Sequence, residues 1–180
     1  MNRVFISLGP ITIKKIMVTK YLKEIGLLKE ELRSVSSFIP GVKGNTGLDT
    51  VEIINSLVQV SKADFIIVID SLKTSSLKRL NKSIQLSNTG LKIKDYDYKI
   101  NSKTIGKPVI SIGVPTVVDT NVIIYESLKD IIDDVILKNA VNNNYNLMVT
   151  PKDIDFIIND LADIISYGIN KVLHKKTYML

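Results

Sequence analysis

Cysteine and tryptophan are absent from the 180 residues, histidine occurs once, and aromatic residues make up only 6%. Without cysteine there is no disulfide framework and no thiolate metal site. A lone histidine builds neither an ordinary zinc centre nor, in any arrangement visible here, a Ser-His-Asp triad. No apolar run approaches the ~18 residues of a membrane span. The start, Met1-Asn2-Arg3-Val4-Phe5-Ile6-Ser7, lacks the apolar stretch and small-residue cleavage site of a secretory signal. These absences predict a cytoplasmic protein with no metal, no cofactor and no membrane partner. What is present, 45% apolar and 23% charged residues, suits one globular domain spanning 1–180 with a sizeable core.

Charge is unevenly distributed within a net +6. Residues 71–110 hold nine Lys or Arg against two Asp, whereas 111–165 hold three Lys and nine acids. Such a basic zone attracts nucleic acid or an acidic polypeptide in some proteins and is a solvated surface in more of them. Base-stacking aromatics are largely missing beside it, so direct nucleic-acid binding is not expected.

Along the chain, Ile13, Ile16, Met17, Tyr21, Leu22 and Ile25 recur at helical spacing after Gly9-Pro10. Val35 to Ile39 reads as a short strand stopped by Pro40. The loop Gly41-Val42-Lys43-Gly44-Asn45-Thr46-Gly47 leads through Asp49-Thr50 to a helix from Val51 to about Ser61. Phe65 to Ile69 is a continuous apolar run, the pattern of a central parallel strand covered on both faces, ending at Asp70. Ser71 to Leu80 reads as helix, Ser83 to Leu86 as a short strand, and Lys92 to Lys107, with Tyr96 and Tyr98, as a mobile loop or hairpin. Val109 to Val114 is a second buried strand, closed by Pro115 because proline cannot donate to a central ladder. A long helix over about 120–138 and a loop at 142–146 follow. The last helix starts at Thr150-Pro151-Lys152-Asp153, with Thr150 as N-cap. Its apolar stripe runs Ile154, Ile157, Ile158, Leu161, Ile164, Ile165, Ile169, Val172. Alternating strands and helices predict an α/β fold, a mostly parallel sheet flanked by helices.

In such sheets ligands sit beyond the carboxyl ends of the strands. Asp70 occupies that position, Asp119 follows the strand ending at Val114, and Asp49 ends the glycine loop. Two carboxylates at one edge suit general acid and base work, because like charges push their proton affinities apart. Each also has a structural reading: Asp49 and Asp119 precede helices and suit N-caps, and a strand-end carboxylate can bind loop amides. The glycine loop lacks the Gly-Lys-Ser/Thr ending of a P-loop, so it is either a weak anion cradle or a set of turn glycines. His174 lies in a basic tail with Lys171, Lys175 and Lys176, where a helix C-terminus favours it.

Seven motifs occur in a recognisable order. They are Leu8-Gly9-Pro10; Met17-Val18-Thr19; Pro40-Gly41-Val42 with Gly44 and Thr46-Gly47; Val68-Ile69-Asp70-Ser71-Leu72; and Ser83-Ile84-Gln85-Leu86-Ser87 with Thr89-Gly90. Gly113-Val114-Pro115-Thr116-Val117-Val118-Asp119 and Asn146-Leu147-Met148-Val149-Thr150-Pro151-Lys152 complete the set. Over nearly its whole length the chain resembles the germination protease family. The resemblance implies an endopeptidase of endospore-forming bacteria, made as a zymogen and assembled as a tetramer. Such an enzyme degrades small acid-soluble spore proteins in the forespore or spore core. It also implies an α/β core similar to that of hydrogenase maturation proteases and catalysis by two aspartates.

One of those aspartates carries over to Asp70. The other, in the family's Asn-Val-Thr-Pro-Asp-Ala-Leu-Gly-Pro, falls on Ile6, which cannot move a proton. The family's pro-segment and first core strand have no counterpart upstream, and its glycine-rich loop after Thr-Gly is here Leu91 to Tyr98 without a glycine. The expectation is therefore a C-terminal remnant of the core with an unpaired sheet edge, forming an oligomer or joining a full-length protease subunit. Three functions follow: the family's peptidase, with Asp70 and Asp119 as its carboxylates; a non-catalytic subunit that binds protease or substrate; and a small anion-binding module using Gly41 to Gly47.

Overall fold

The structure, a computed structural model, describes residues 8–28, 32–41, 43–92, 99–141 and 147–174. In chain order the elements are α1 (Leu8–Lys14), α2 (Lys20–Glu24), α3 (Lys43–Thr46), α4 (Thr50–Ser61), β1 (Ile66–Thr74), β2 (Gln85–Ser87) and β3 (Leu91–Lys92). They continue with β4 (Lys99–Ile100), α5 (Ser102–Ile105), β5 (Val109–Asp119), α6 (Thr120–Leu128), α7 (Asp134–Val141), β6 (Met148–Val149) and α8 (Ile154–Leu173). The fold is α/β. β5 is the centre of a mixed sheet, with β1 parallel on one side and β2 and then β6 antiparallel along the other.

The apolar runs divide by alternation between two cores. Ile67, Ile69, Ile112 and Val114 pack with Leu8 of α1 and with Ile154, Ile158, Ala162 and Ile165 of α8. Ile66, Val68 and Val109 pack on the other face with Ile54 and Val58 of α4 and with Ile100 and Ile105. β1 is thus covered on both faces as its run predicts, but among the described residues it pairs only with β5. Among them it stands at the edge of the sheet rather than at its centre.

Two strands run further than local pattern suggests. The expected helix from Ser71 is instead strand to Thr74, whose hydroxyl accepts from the Ser76 N–H and ends β1 in a turn. Pairing with β5 overrides the polar local sequence there. β5 continues through Pro115 to Asp119, because Leu72 lies opposite Pro115 while Lys73 lies opposite Val117. Thr116 is the extra residue of a bulge, a place where proline's missing N–H costs no ladder bond. The Pro115 carbonyl accepts from the Asn81 N–H at 2.7 Å.

Other expectations change in the same way. The first helix begins at Leu8 and breaks at 15–19, where Met17 N–H donates to Asn170 Oδ1 and Asn170 Nδ2 donates to the Lys15 carbonyl. Val35 to Ile39 forms no strand, and its Val35 backbone is taken up by Thr19 and Lys20. The helix expected over 120–138 is two helices, with Asp133 capping α7 through the Val135 N–H. α8 starts at Ile154 because Thr150 turns its hydroxyl onto the Thr116 carbonyl instead of capping. Of its stripe, Ile164 and Val172 face solvent. Of the segment expected as a mobile loop or hairpin, Lys92 pairs antiparallel with Lys99 in β3–β4, and Ser102 to Ile105 is the helix α5 instead. Tyr96, Tyr98 and the 142–146 loop lie outside the described residues, and no helix among those described is long and apolar enough to cross a membrane.

Candidate functional site

The orientation of β1 decides what Asp70 faces. The Ile66 N–H donates to the Pro108 carbonyl beside β5. By the two-residue period of a strand, the backbone groups of Val68, Asp70 and Leu72 also point to β5, and those of Ile67, Ile69 and Ser71 point to the outer edge. Asp70 Oδ1 accepts the outer-edge N–H of Ser71 at 2.8 Å, so the carboxylate leans away from the sheet. Asp70 is exposed at the surface, yet the crowding of protein around it raises its pKa from the ordinary 3.8, and the Ser71 N–H opposes this more weakly. The Ser71 hydroxyl is buried and has no hydrogen-bond partner among the described residues.

The Leu8-Gly9-Pro10 motif comes to the same edge. Leu8 is fully buried, and a Cβ on Gly9 would stand 2.7 Å from the carbonyl oxygen of Ile69, the residue before Asp70. Only glycine lets α1 approach that outward-pointing carbonyl. Motifs sixty residues apart in sequence therefore meet at one strand edge. Ile6 lies outside the described residues.

Asp119 is held elsewhere. It caps α6, accepting from the Asn121 N–H at 3.2 Å, and its Oδ2 pairs with Lys73 Nζ at 2.7 Å. The Lys73 hydrogen bond and the Asn121 N–H lower its pKa from 3.8. It follows Val118, which is opposite Thr74, so about five strand steps, roughly 16 Å, separate it from Asp70 along the sheet. The two carboxylates are not brought together. Because the folded state favours the charged form of Asp119, the stability it adds is complete above the unfolded value and is lost as pH falls through the folded value. Asp119→Asn, which keeps the cap, is expected to melt below wild type at pH 7, and the gap should close on titration to acid. A gap that persists at acid pH rules out the ion pair as its source.

Asp49 caps α4 through the Val51 N–H at 2.9 Å, the structural one of its two readings. Lys43 to Thr46 of the glycine loop turn into the short helix α3. Lys78, Arg79, Lys82, Lys103 and Lys107 of the basic zone face solvent. His174 ends α8 but is 1% exposed, not a solvated tail residue. Its Nε2 lies 3.3 Å from the Met17 carbonyl, and Nδ1 has no partner among the described residues. With Asn170 it secures the connector between α1 and α2. The signal for this was present: Ser166, Asn170 and His174 are polar residues spaced by four, and all three are buried.

Comparison with known proteins bears on this edge. A germination protease family profile matches residues 4–144 and 136–178. The germination protease of Caldanaerobacter subterraneus subsp. tengcongensis is 38% identical over 93% of this chain and 61% of its own length. That of Clostridium tetani is 37% identical over the same shares, and that of Bacillus pumilus is 31% identical over 94% and 62%. The chain spans about three fifths of the length of these curated relatives. With a match that runs through the described elements and Leu-Gly-Pro brought against the strand that carries Asp70, the chain belongs to the germination protease family.

Proposed function

We propose that this chain works as a germination endopeptidase on small acid-soluble spore proteins in the spore core, with Asp70 as its proton-transferring carboxylate. The observation that carries the reading is the Asp70 carboxylate itself. It leans to the side of β1 away from β5, is stabilised toward its protonated form, and is held by one backbone N–H. A group of that kind takes a proton from water as hydroxide adds to a peptide carbonyl carbon. It then returns that proton to the leaving amine as the C–N bond breaks. Asp119, fixed by Lys73 and by the α6 cap, is assigned a structural role in this proposal, so Asp70 acts without it.

A second reading is favoured by Ile6, which stands where the resemblance places the family's second aspartate. In that reading the chain binds substrate, or a full-length protease subunit in an oligomer, without cutting. Incubating the folded chain with a small acid-soluble spore protein and reading new N-termini by mass spectrometry separates the two. New termini are expected, and Ile6→Asp should increase their rate of appearance. Saturable binding without new termini establishes the second reading, and neither binding nor cleavage overturns both.

A further inference from the structure

The flank of Asp70 that faces β5 is shaped by two residues outside any acid or base role. Asp70 lies beside Gly113 in the parallel register, and Leu72, two residues on, projects from the same face of β1. A Cβ on Gly113 would fall 2.7 Å from Leu72 Cγ and nearer still to Leu72 Cδ1. The isobutyl group therefore fills the volume that a side chain at 113 would take, in the strand position next to Asp70. Neighbouring strands are about 4.8 Å apart, so that volume borders the aspartate.

We propose that Leu72, seated over Gly113, is a positioning residue that walls Asp70 off from the β5 side, so that water and peptide reach its carboxylate from the side away from Gly113. This rests on the reading of Asp70 as the reactive group. The two flanks of Asp70 differ as a one-sided site requires: hydrocarbon over glycine on one, the polar Ser71 N–H on the other. Loss of water is the larger influence on the carboxyl, as an apolar wall produces. Among the described residues no charged side chain contributes to the shift of the Asp70 carboxyl. β5 has none from Val109 to Val118, α1 has only Lys14 at the end remote from Gly9, and Lys73 is engaged by Asp119.

The test is a carbon-detected NMR titration of the Asp70 carboxyl in the whole chain, with circular dichroism alongside. Leu72→Ala should lower its midpoint toward that of an ordinary aspartate, and Leu72→Met, which restores the volume, should bring it back. A midpoint unmoved in Leu72→Ala, or lowered as far in Leu72→Met, overturns the proposal. If Leu72→Ala does not fold, Leu72→Val should move the midpoint the same way by less, and no movement there is equally fatal. The readout is independent of proteolysis. A chain that titrates as expected but cuts nothing contradicts only the protease reading, and one that cuts with an unmoved midpoint contradicts only the wall.

Discussion

Asp70→Asn is expected to lose cleavage of small acid-soluble spore protein by on the order of 10²–10⁴-fold, the usual contribution of a positioned acid or base. The same variant should melt above wild type at neutral pH. Asparagine has nearly the same shape and can still accept the Ser71 N–H, so the local geometry is retained. What it lacks is the charge whose burial the fold resists. The folded-state pKa of Asp70 is raised, so the native chain binds its proton more tightly than the unfolded chain does. Wild-type stability therefore declines as pH rises from the unfolded value through the folded one, a slope that Asp70→Asn lacks. Lower activity with higher melting temperature is the opposite of what misfolding produces. Melting curves of both proteins between pH 3 and 7 check the sign. If Asp70→Asn cuts at the wild-type rate, Asp70 has no catalytic role.

How far the fold is legible in the sequence depends on how local the physical cause is. Ile66 to Ile69 and Val109 to Val114 read correctly as strands because both faces of each are covered, which leaves an unbroken apolar run. α4 and the core of α8 read correctly because helical spacing and an apolar face coincide. The break at 15–19 is invisible locally, since it is stabilised by Asn170 and His174 more than 150 residues away. Val35 to Ile39 has β-branched residues and no partner strand, and propensity without pairing makes no strand. Pro115 misleads because the bulge at Thr116 is a property of two strands together.

The site divides along the same line. Asp70 reads locally as a strand-end carboxylate, yet β1 runs on to Thr74 and places it mid-strand opposite Gly113, and the two readings of Asp119 differ only in whether Lys73 lies beside it; both depend on the register of β1 against β5. The role of Gly113 was hidden for the same reason: it exists only relative to Leu72. The meeting of the helix carrying Gly9 with the Ile69 carbonyl emerges only from tertiary packing.

Gly9→Ala should destabilise the chain by about 1–3 kcal/mol, the usual cost of overpacking. At about 2–4 °C per kcal/mol for a chain of this length, the melting temperature should fall by roughly 2–12 °C. Both sides of the contact are backbone, the first turn of α1 and the Ile69 carbonyl, so neither can swing away as a flexible side chain would. The added methyl must push the helix off the strand, and Leu8, fully buried one residue earlier, must move with it. Gly168 in α8 supplies the control, because a Cβ there meets nothing within 4 Å. Gly168→Ala should therefore raise stability by about 0.5–1 kcal/mol through helix propensity alone. One substitution, glycine to alanine within a helix, should thus act in opposite directions at two positions. The displaced strand residue at Gly9 is the immediate neighbour of Asp70, so Gly9→Ala should also reduce cleavage in whatever fraction remains folded. Equal stabilisation of both variants in thermal melts would mean that α1 does not press against β1, and the placement of the Leu-Gly-Pro motif at the Asp70 edge would fall with it.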